Sequence, residues 1–285
     1  MTQTQESLDG EPLDLTFIVL AYNEEGGLRA TVEDCIAWMR ASRRVASILI
    51  MNDGSTDGTR SIADDLAREY ANVRAYHMPK NEGQFAVLRT AWRIVDTAYC
   101  AGIPGDNQFD MRSFDMFVPH IGSYDVVLGF PNNEEVRERS RALLSYLWRI
   151  YLLGLYGISM VYLAGLVVVP VDLVLRIETR SGGFLGWYET MVRICLSGAT
   201  VIQLPFVMRE REGGVSKAFN PLRNLKDLGG MALVWTKIKG PGVLPAGKEW
   251  AHLREVYLEY RAANPPSKGS PAARIYETMR PRAPT

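Results

Sequence analysis

Short, almost wholly apolar runs alternate along this chain with segments of helical period, at intervals of roughly thirty residues, and that rhythm constrains the fold more than any other feature. "LTFIVLAYN" (15–23), "ASILIMNDG" (46–54), "VRAYHMP" (73–79), "TAYCAGI" (97–103) and "DVVLGF" (125–130) read as strands. Runs without polar alternation suit strands covered on both faces, as in a parallel sheet. Between them, Leu28, Val32, Cys35, Ile36 and Met39 share one helical face, as do Ile62, Leu66 and Tyr70, and then Phe85, Leu88, Trp92 and Val95. The alternation predicts an α/β fold with a mostly parallel central sheet, right-handed crossovers and helices on both faces.

Charge and cysteine content remove several function classes. Lys plus Arg and Asp plus Glu are equal at 32 each, so no global field favours nucleic acid. Cys35, Cys100 and Cys195 are widely spaced and lack the pairing of a zinc site, which suits buried thiols in a reducing compartment. His77, His120 and His252 read as structural. The polar residues 1–14 read as a flexible N-terminus and carry no leader-peptide pattern. Ile150–Val171 runs 22 positions without a charge, long enough to span a bilayer. Gly154, Gly157, Gly165 and Pro170 interrupt it, so it reads as a helix end, a turn and a buried strand. The helix over about 137–157 carries Leu144, Leu147, Trp148, Tyr151 and Leu155 beside Arg137, Arg139, Arg141 and Arg149, the pattern of either an interfacial or a core-packing element. The last 22 residues, with five Pro, read as a mobile basic tail after a C-terminal helix.

Polar residues collect after the strands. Ala21, Tyr22, Asn23 and Glu24 follow the first, Asp53 the second, Asn81 and Gly83 the third, and Asp106 and Gln108 the fourth. Open α/β sheets bind ligands at these carboxyl ends. A turn alone would account for Gly105-Asp106-Asn107, and an Asx-turn for Asp53. Four such turns delivered to one edge predict a crevice.

"LAYNEE" (20–25), "MNDGSTDGT" (51–59), "NEGQFAVLRTAW" (81–92), "GDNQFD" (105–110) and "REGGVSK" (211–217) occur in this order. Together they resemble the inverting glycosyltransferases of family 2, and particularly the dolichyl- or polyprenyl-phosphate mannose and glucose synthases. The likeness runs from about Leu15 to Phe219. It implies a GT-A (Rossmann-like) domain over 15–240, followed by 241–285 as C-terminal helix and tail. It further implies hexose transfer from a GDP- or UDP-sugar to a polyprenyl or dolichyl phosphate. Asp106 and Gln108 would then hold Mg²⁺ or Mn²⁺. Ala21, Tyr22, Asn23, Glu24 and Asp53 would line the nucleoside, with Asn81 and Gly83 beside it. Arg211, Ser216 and Lys217 would meet the diphosphate, and Glu189 would serve as general base for a hydroxyl acceptor.

Two departures leave alternatives open. Pro104 stands where the family's first metal-motif acid is usual, so weaker metal binding is expected. Val161, Leu166 and Val167 stand in the Asp, Phe and Arg places of the acceptor motif, so a soluble hydroxyl acceptor, a secondary metabolite or another sugar, stays open beside the lipid. A catalytically degenerate binding protein is the remaining alternative. The expected location is cytoplasmic, with peripheral contact at the membrane face through residues 137–157. The sequence carries no signal for oligomeric state.

Overall fold

The computed structural model describes residues 5–133, 139–160, 165–209, 229–236 and 248–279. Seven strands form one sheet among them: β1 (Glu11–Ala21), β2 (Arg44–Asn52), β3 (Val73–His77), β4 (Tyr99–Pro104), β5 (Val126–Pro131), β6 (Val167–Pro170) and β7 (Val201–Phe206). Their order is β3-β2-β1-β4-β6-β5-β7. All pairs are parallel except those of β6, which runs antiparallel to both β4 and β5. The mostly parallel α/β sheet is therefore as the sequence rhythm predicts.

β1 explains why the core has two halves. Its side chains alternate across the sheet, and both sets are buried. Leu15, Phe17 and Val19 enter one cluster with Val32, Ile36, Trp38 and Leu66. Those residues come from α1 (Leu28–Ser42) and α2 (Thr59–Glu69), both on that face. Ile18 enters the other with Leu88, Trp92, Val192 and Tyr257. That face is covered by α3 (Gln84–Ile94), α5 (Val171–Arg176), α6 (Gly183–Ser197) and α8 (Lys248–Ala263). The remaining described α-helices are α4 (Arg139–Tyr156), α7 (229–236) and α9 (Pro271–Met279).

The charge-free stretch resolves as read: α4 ends at Tyr156, and Val167–Pro170 is a buried strand. No described helix is long and apolar enough to cross a membrane. Two terminal expectations are corrected. Residues 11–14 belong to β1, and Glu6 donates its N–H to the Glu69 carbonyl at 2.8 Å, so this part of the N-terminus is tied down. Likewise 271–279 is a helix, not a mobile tail, because Ala272 and Ala273 are small enough to bury against the domain. A buried cluster fixes α8. Asp125, just before β5, accepts from Tyr257 Oη at 3.1 Å, from Thr200 N at 2.7 Å and Oγ1 at 2.6 Å, and from the Arg261 guanidinium.

Phe17 packs edge-on against Trp38 and Phe114, with centroids 5.8 and 4.9 Å away. Phe17→Ala therefore removes both ring contacts and leaves a cavity beneath the central strand. We expect a loss of about 3–5 kcal/mol, read as a lower urea midpoint with an unchanged slope.

Candidate active site

The strand register brings the polar turns together. Ala21 of β1 lies opposite Asn52 of β2, Leu20 opposite Pro104 of β4, and Asn52 opposite His77 of β3. Four strands thus end level, and their turns open on one edge. β2 and β3 lie to one side of β1 and β4 to the other, so the crevice sits where the strand order reverses.

Backbone-to-side-chain bonds lace these turns to each other. Asn23 is held at φ +53°, a left-handed geometry that Asn tolerates better than most residues. Its Oδ1 accepts from Thr56 N and its N–H donates to Ser55 Oγ, both at 2.9 Å. Glu24 N–H donates to Thr59 Oγ1 at 2.9 Å, and Glu25 accepts from Gly58 N at 2.8 Å. Tyr22 and Glu24 are half-buried beside them.

Asp53 is only 5% exposed. Its Oδ1 accepts from Glu82 N at 2.8 Å and its Oδ2 from Gly83 N at 2.9 Å, so it pins the loop before α3. Burial pushes its carboxyl above the usual range, against the downward pull of those two N–H groups. Each oxygen retains a further lone pair, so the pinning role and the expected contact with a nucleobase are compatible. Gly54 completes the joint at φ +64°, where a Cβ would lie 2.5 Å from the Lys80 carbonyl carbon. Asn81 is exposed on the same loop. His77 is structural, as expected: its Nδ1 meets Asn52 Nδ2 at 3.0 Å and its Nε2 meets Asp64 at 2.9 Å.

After β4, Asp106 and Gln108 flank Asn107, which sits at φ +55°. Asp106 Oδ1 accepts from Gln108 N at 3.3 Å, and Asn107 N–H donates to Thr31 Oγ1 at 2.9 Å. Among the described residues, no cluster of three or more His, Cys, Asp or Glu could hold a metal by itself. One carboxylate and one amide oxygen on one turn nonetheless fit Mg²⁺ or Mn²⁺ shared with a diphosphate, since such ions take one or two carboxylates and fill the rest with phosphate and water. Pro104, exposed at the end of β4, contributes no ligand there.

Beneath this turn lies a charged network that motif reading does not single out. Arg209 N–H donates to the Gln108 carbonyl at 2.7 Å. Its guanidinium reaches Asn107 Oδ1 at 3.0 Å, Asp34 at 3.1 Å and Asp110 at 3.1 Å. Arg112 pairs with Asp110 in a two-pronged contact, at 2.6 Å for its nearest oxygen, and this holds the Asp110 carboxyl below its usual range. Asp110 stands inside the "GDNQFD" motif, so its position carried a signal. Asp34 and Arg209 are single charged residues whose partners are far away in sequence.

Other expected residues fare differently. Arg211, Ser216 and Lys217 lie outside the described residues, as do Arg137 and Val161. Leu166 and Val167 are buried core residues, so no polar acceptor contact comes from those places. Glu189 is corrected from general base to structural anion. It is 1% exposed, pairs with Arg193 Nε at 2.7 Å and accepts from Ser181 N at 2.9 Å. Burial pushes its carboxyl up, but the bonds from Ser181 and Arg193 outweigh this and leave it below its ordinary value. An enclosed, already ion-paired carboxylate of low pKa is a poor proton acceptor. The Cys35 and Cys100 thiols are buried, and desolvation pushes both up, away from the reactive range.

Two outcomes follow from these contacts. A Cβ on Gly27 would lie 2.9 Å from the Gly105 carbonyl and 3.0 Å from Asp106 Cα. Gly27→Ala must displace the Asp106 turn, at about 1–3 kcal/mol, and should weaken divalent-cation binding measured by titration calorimetry. Glu189→Gln leaves Arg193 buried without its nearest anion, a loss of about 3–5 kcal/mol by analogy with broken buried pairs. Because the native carboxyl lies below its unfolded value, its contribution is full at neutral pH and fades as pH falls through the native pKa. The variant should therefore melt earlier at pH 7, with the gap to the parent narrowing in acid.

Comparison with known proteins bears on the family and the fold. The chain is 28% identical over 142 residues to glycosyltransferase AglD of Haloferax volcanii, a match covering 47% of this chain and 22% of that protein. It is 30% identical over 96 residues to the dolichyl-phosphate beta-glucosyltransferase of Drosophila melanogaster, covering 31% and 29%. The chain thus matches less than a third of the length of either relative. Among solved structures, glucosyl-3-phosphoglycerate synthase from Mycobacterium tuberculosis, in complex with Mn²⁺, UDP-glucose and phosphoglyceric acid, superposes with a TM-score of 0.58. That match covers 78% of each chain at 16% identity and establishes the GT-A fold alone. The glycosyl transferase family 2 model matches residues 16–161, more than half of the sequence, and the chain belongs to that family.

Proposed function

We propose that the chain is an inverting hexosyltransferase taking its sugar from a nucleoside diphosphate donor, GDP- or UDP-linked, and passing it to a polyprenyl or dolichyl phosphate. The observation that carries the donor half is the level ending of β1, β2, β3 and β4, which gathers the half-buried Tyr22, Asn23, Glu24 and Asp106 and the buried Asp53 at one edge. The laced turns would seat the nucleoside, with Asp53 offering its remaining lone pairs to the base. Asp106 and Gln108 would hold Mg²⁺ or Mn²⁺ against the diphosphate. When bound, that ion offsets the charge growing on the leaving group. The acceptor oxygen attacks the anomeric carbon from the face opposite the diphosphate. One C–O bond forms as the other breaks, and the configuration inverts. A phosphate oxygen is already ionised at neutral pH and needs no base, which is consistent with the enclosed Glu189. Arg211, Ser216 and Lys217 enter this reading through the sequence resemblance alone.

The lipid half rests on α4. Tyr146, Leu147, Ile150 and Leu153 are each about half exposed, at 49%, 53%, 49% and 49%. Their spacing makes one apolar stripe, and the Arg149 guanidinium lies 5.1 Å from the Tyr146 ring centre. Such a stripe suits the boundary of a membrane, with cations among anionic head groups. One observation favours a second reading: the buried Leu166 and Val167 leave the expected acceptor-phosphate place apolar. A soluble hydroxyl acceptor would then replace the lipid.

Two measurements test the reading. Melting with Mg²⁺ or Mn²⁺ and a panel of nucleoside diphosphates should rise for one base, since a ligand at a hundred times its dissociation constant adds about 2.7 kcal/mol. No shift with any nucleotide overturns the donor assignment. Flotation with anionic liposomes should capture the protein at low salt and release it at high salt. Leu147→Glu with Ile150→Glu should abolish capture while sparing nucleotide binding. A protein that ignores liposomes at low salt leaves the soluble acceptor as the better reading.

A further inference from the structure

We propose that Arg209 is a positioning residue that sets the affinity of the Asp106–Gln108 turn for its divalent cation. The inference rests on the donor reading above and goes beyond it, because that reading gives Arg209 no role.

The turn after β4 has an awkward task. Asp106 and Gln108 must both present oxygens, and the residue between them, Asn107, is held at φ +55°. A non-glycine residue in that region is kept there by its surroundings. One restraint is the bond from Asn107 N–H to Thr31 Oγ1 at 2.9 Å. The others come from Arg209. Its backbone N–H holds the Gln108 carbonyl at 2.7 Å, and its guanidinium holds Asn107 Oδ1 at 3.0 Å. The chain is thus gripped on both sides of the Asn107–Gln108 peptide by one residue.

The grip is itself anchored. The same guanidinium meets Asp34 on α1 and Asp110 just past the turn, each at 3.1 Å. Asp34 also accepts from Met111 N at 3.0 Å. A planar fork with several N–H groups in fixed directions can engage three acceptors at once, and an ammonium group does so poorly. Asp110 keeps a second cation in Arg112, so its charge remains paired when Arg209 changes. The site has one carboxylate where two are more usual, so the turn's shape governs cation binding more strongly than in a site rich in acids.

The test reads the cation directly. Electron paramagnetic resonance of free Mn²⁺, with UDP or GDP saturating, gives the midpoint for Mn²⁺ on the parent, Arg209→Lys and Asn107→Gly. Arg209→Lys keeps the charge and the backbone bond but loses the fork. Asn107→Gly accepts the positive φ freely and loses only the Oδ1 contact, so one variant remains informative if the other does not fold. We expect the Mn²⁺ midpoint to rise at least fivefold in both. Nucleotide affinity without metal should change less than twofold, and the turnover of any transfer should return at saturating Mn²⁺. A purely structural role would instead lower the melting temperature while leaving the Mn²⁺ midpoint in place. A midpoint within twofold of the parent in either folded variant overturns the inference. Failure of the parent itself to bind Mn²⁺ with either nucleotide overturns the donor reading, and this inference with it.

Discussion

Everything in this molecule is referred to β1. It is an apolar strand covered on both faces and paired in parallel with β2 on one side and β4 on the other. A parallel ladder cannot slip by one residue without moving Phe17 and Ile18 into each other's layers. Burial on both sides therefore locks the register. The locked register makes Ala21, Asn52 and Pro104 end level, and so decides that the turns carrying Tyr22, Asp53 and Asp106 share one edge. The site is a consequence of core packing before it is a matter of any polar residue.

The polar residues then serve two purposes at once. Asp53 holds the loop before α3 through two N–H groups, and Asn23 holds the turn at Thr56. Such side-chain-to-backbone bonds stand in for the secondary structure that a turn lacks. They also leave an edge already shaped before a ligand arrives, which reduces the ordering cost of binding. The charges that are fully enclosed, Glu189 and Asp125, belong to helix attachment instead. Partners sort the buried acids of this chain: Asp53 is held by backbone N–H groups at the strand ends, whereas Glu189 and Asp125 are paired with Arg193 and Arg261 and hold the frame.

Much of this was legible in the sequence, for identifiable reasons. The strand runs of β1 to β5 and the faces of α1 to α3 follow from apolar spacing alone. The direction of β6 was not legible, because the four residues Val167–Pro170 are apolar in either orientation and only their neighbours choose. Glu189 looked like a base although Arg193 stands at the i,i+4 spacing of a helical ion pair; what the sequence did not carry is the burial that encloses the pair. The Arg209 network escaped for a different reason. Its partners Asp34, Asn107 and Asp110 come from α1 and the segment after β4, and single charged residues so far apart leave no local pattern. The C-terminal 271–279 helix was hidden by prolines, which read as disorder but here include the first residue of a helix, where Pro is well tolerated.

The Asp125–Arg261 contact, with Tyr257 beside it, has a bearing on how the chain assembles. It joins residues 136 positions apart, whereas β1 to β4 and α1 to α3 are complete by residue 104. Long-range closure is slow because the loop entropy must be overcome before the contact rewards it. A chain emerging from its N-terminus can thus assemble the β1–β4 half first. The β5–β7 half must wait for α8 to neutralise an aspartate that would otherwise be buried with no cation beside it. A helix far along the chain completes the interior of its middle, so changes in α8 would be felt in the sheet and not only at the surface.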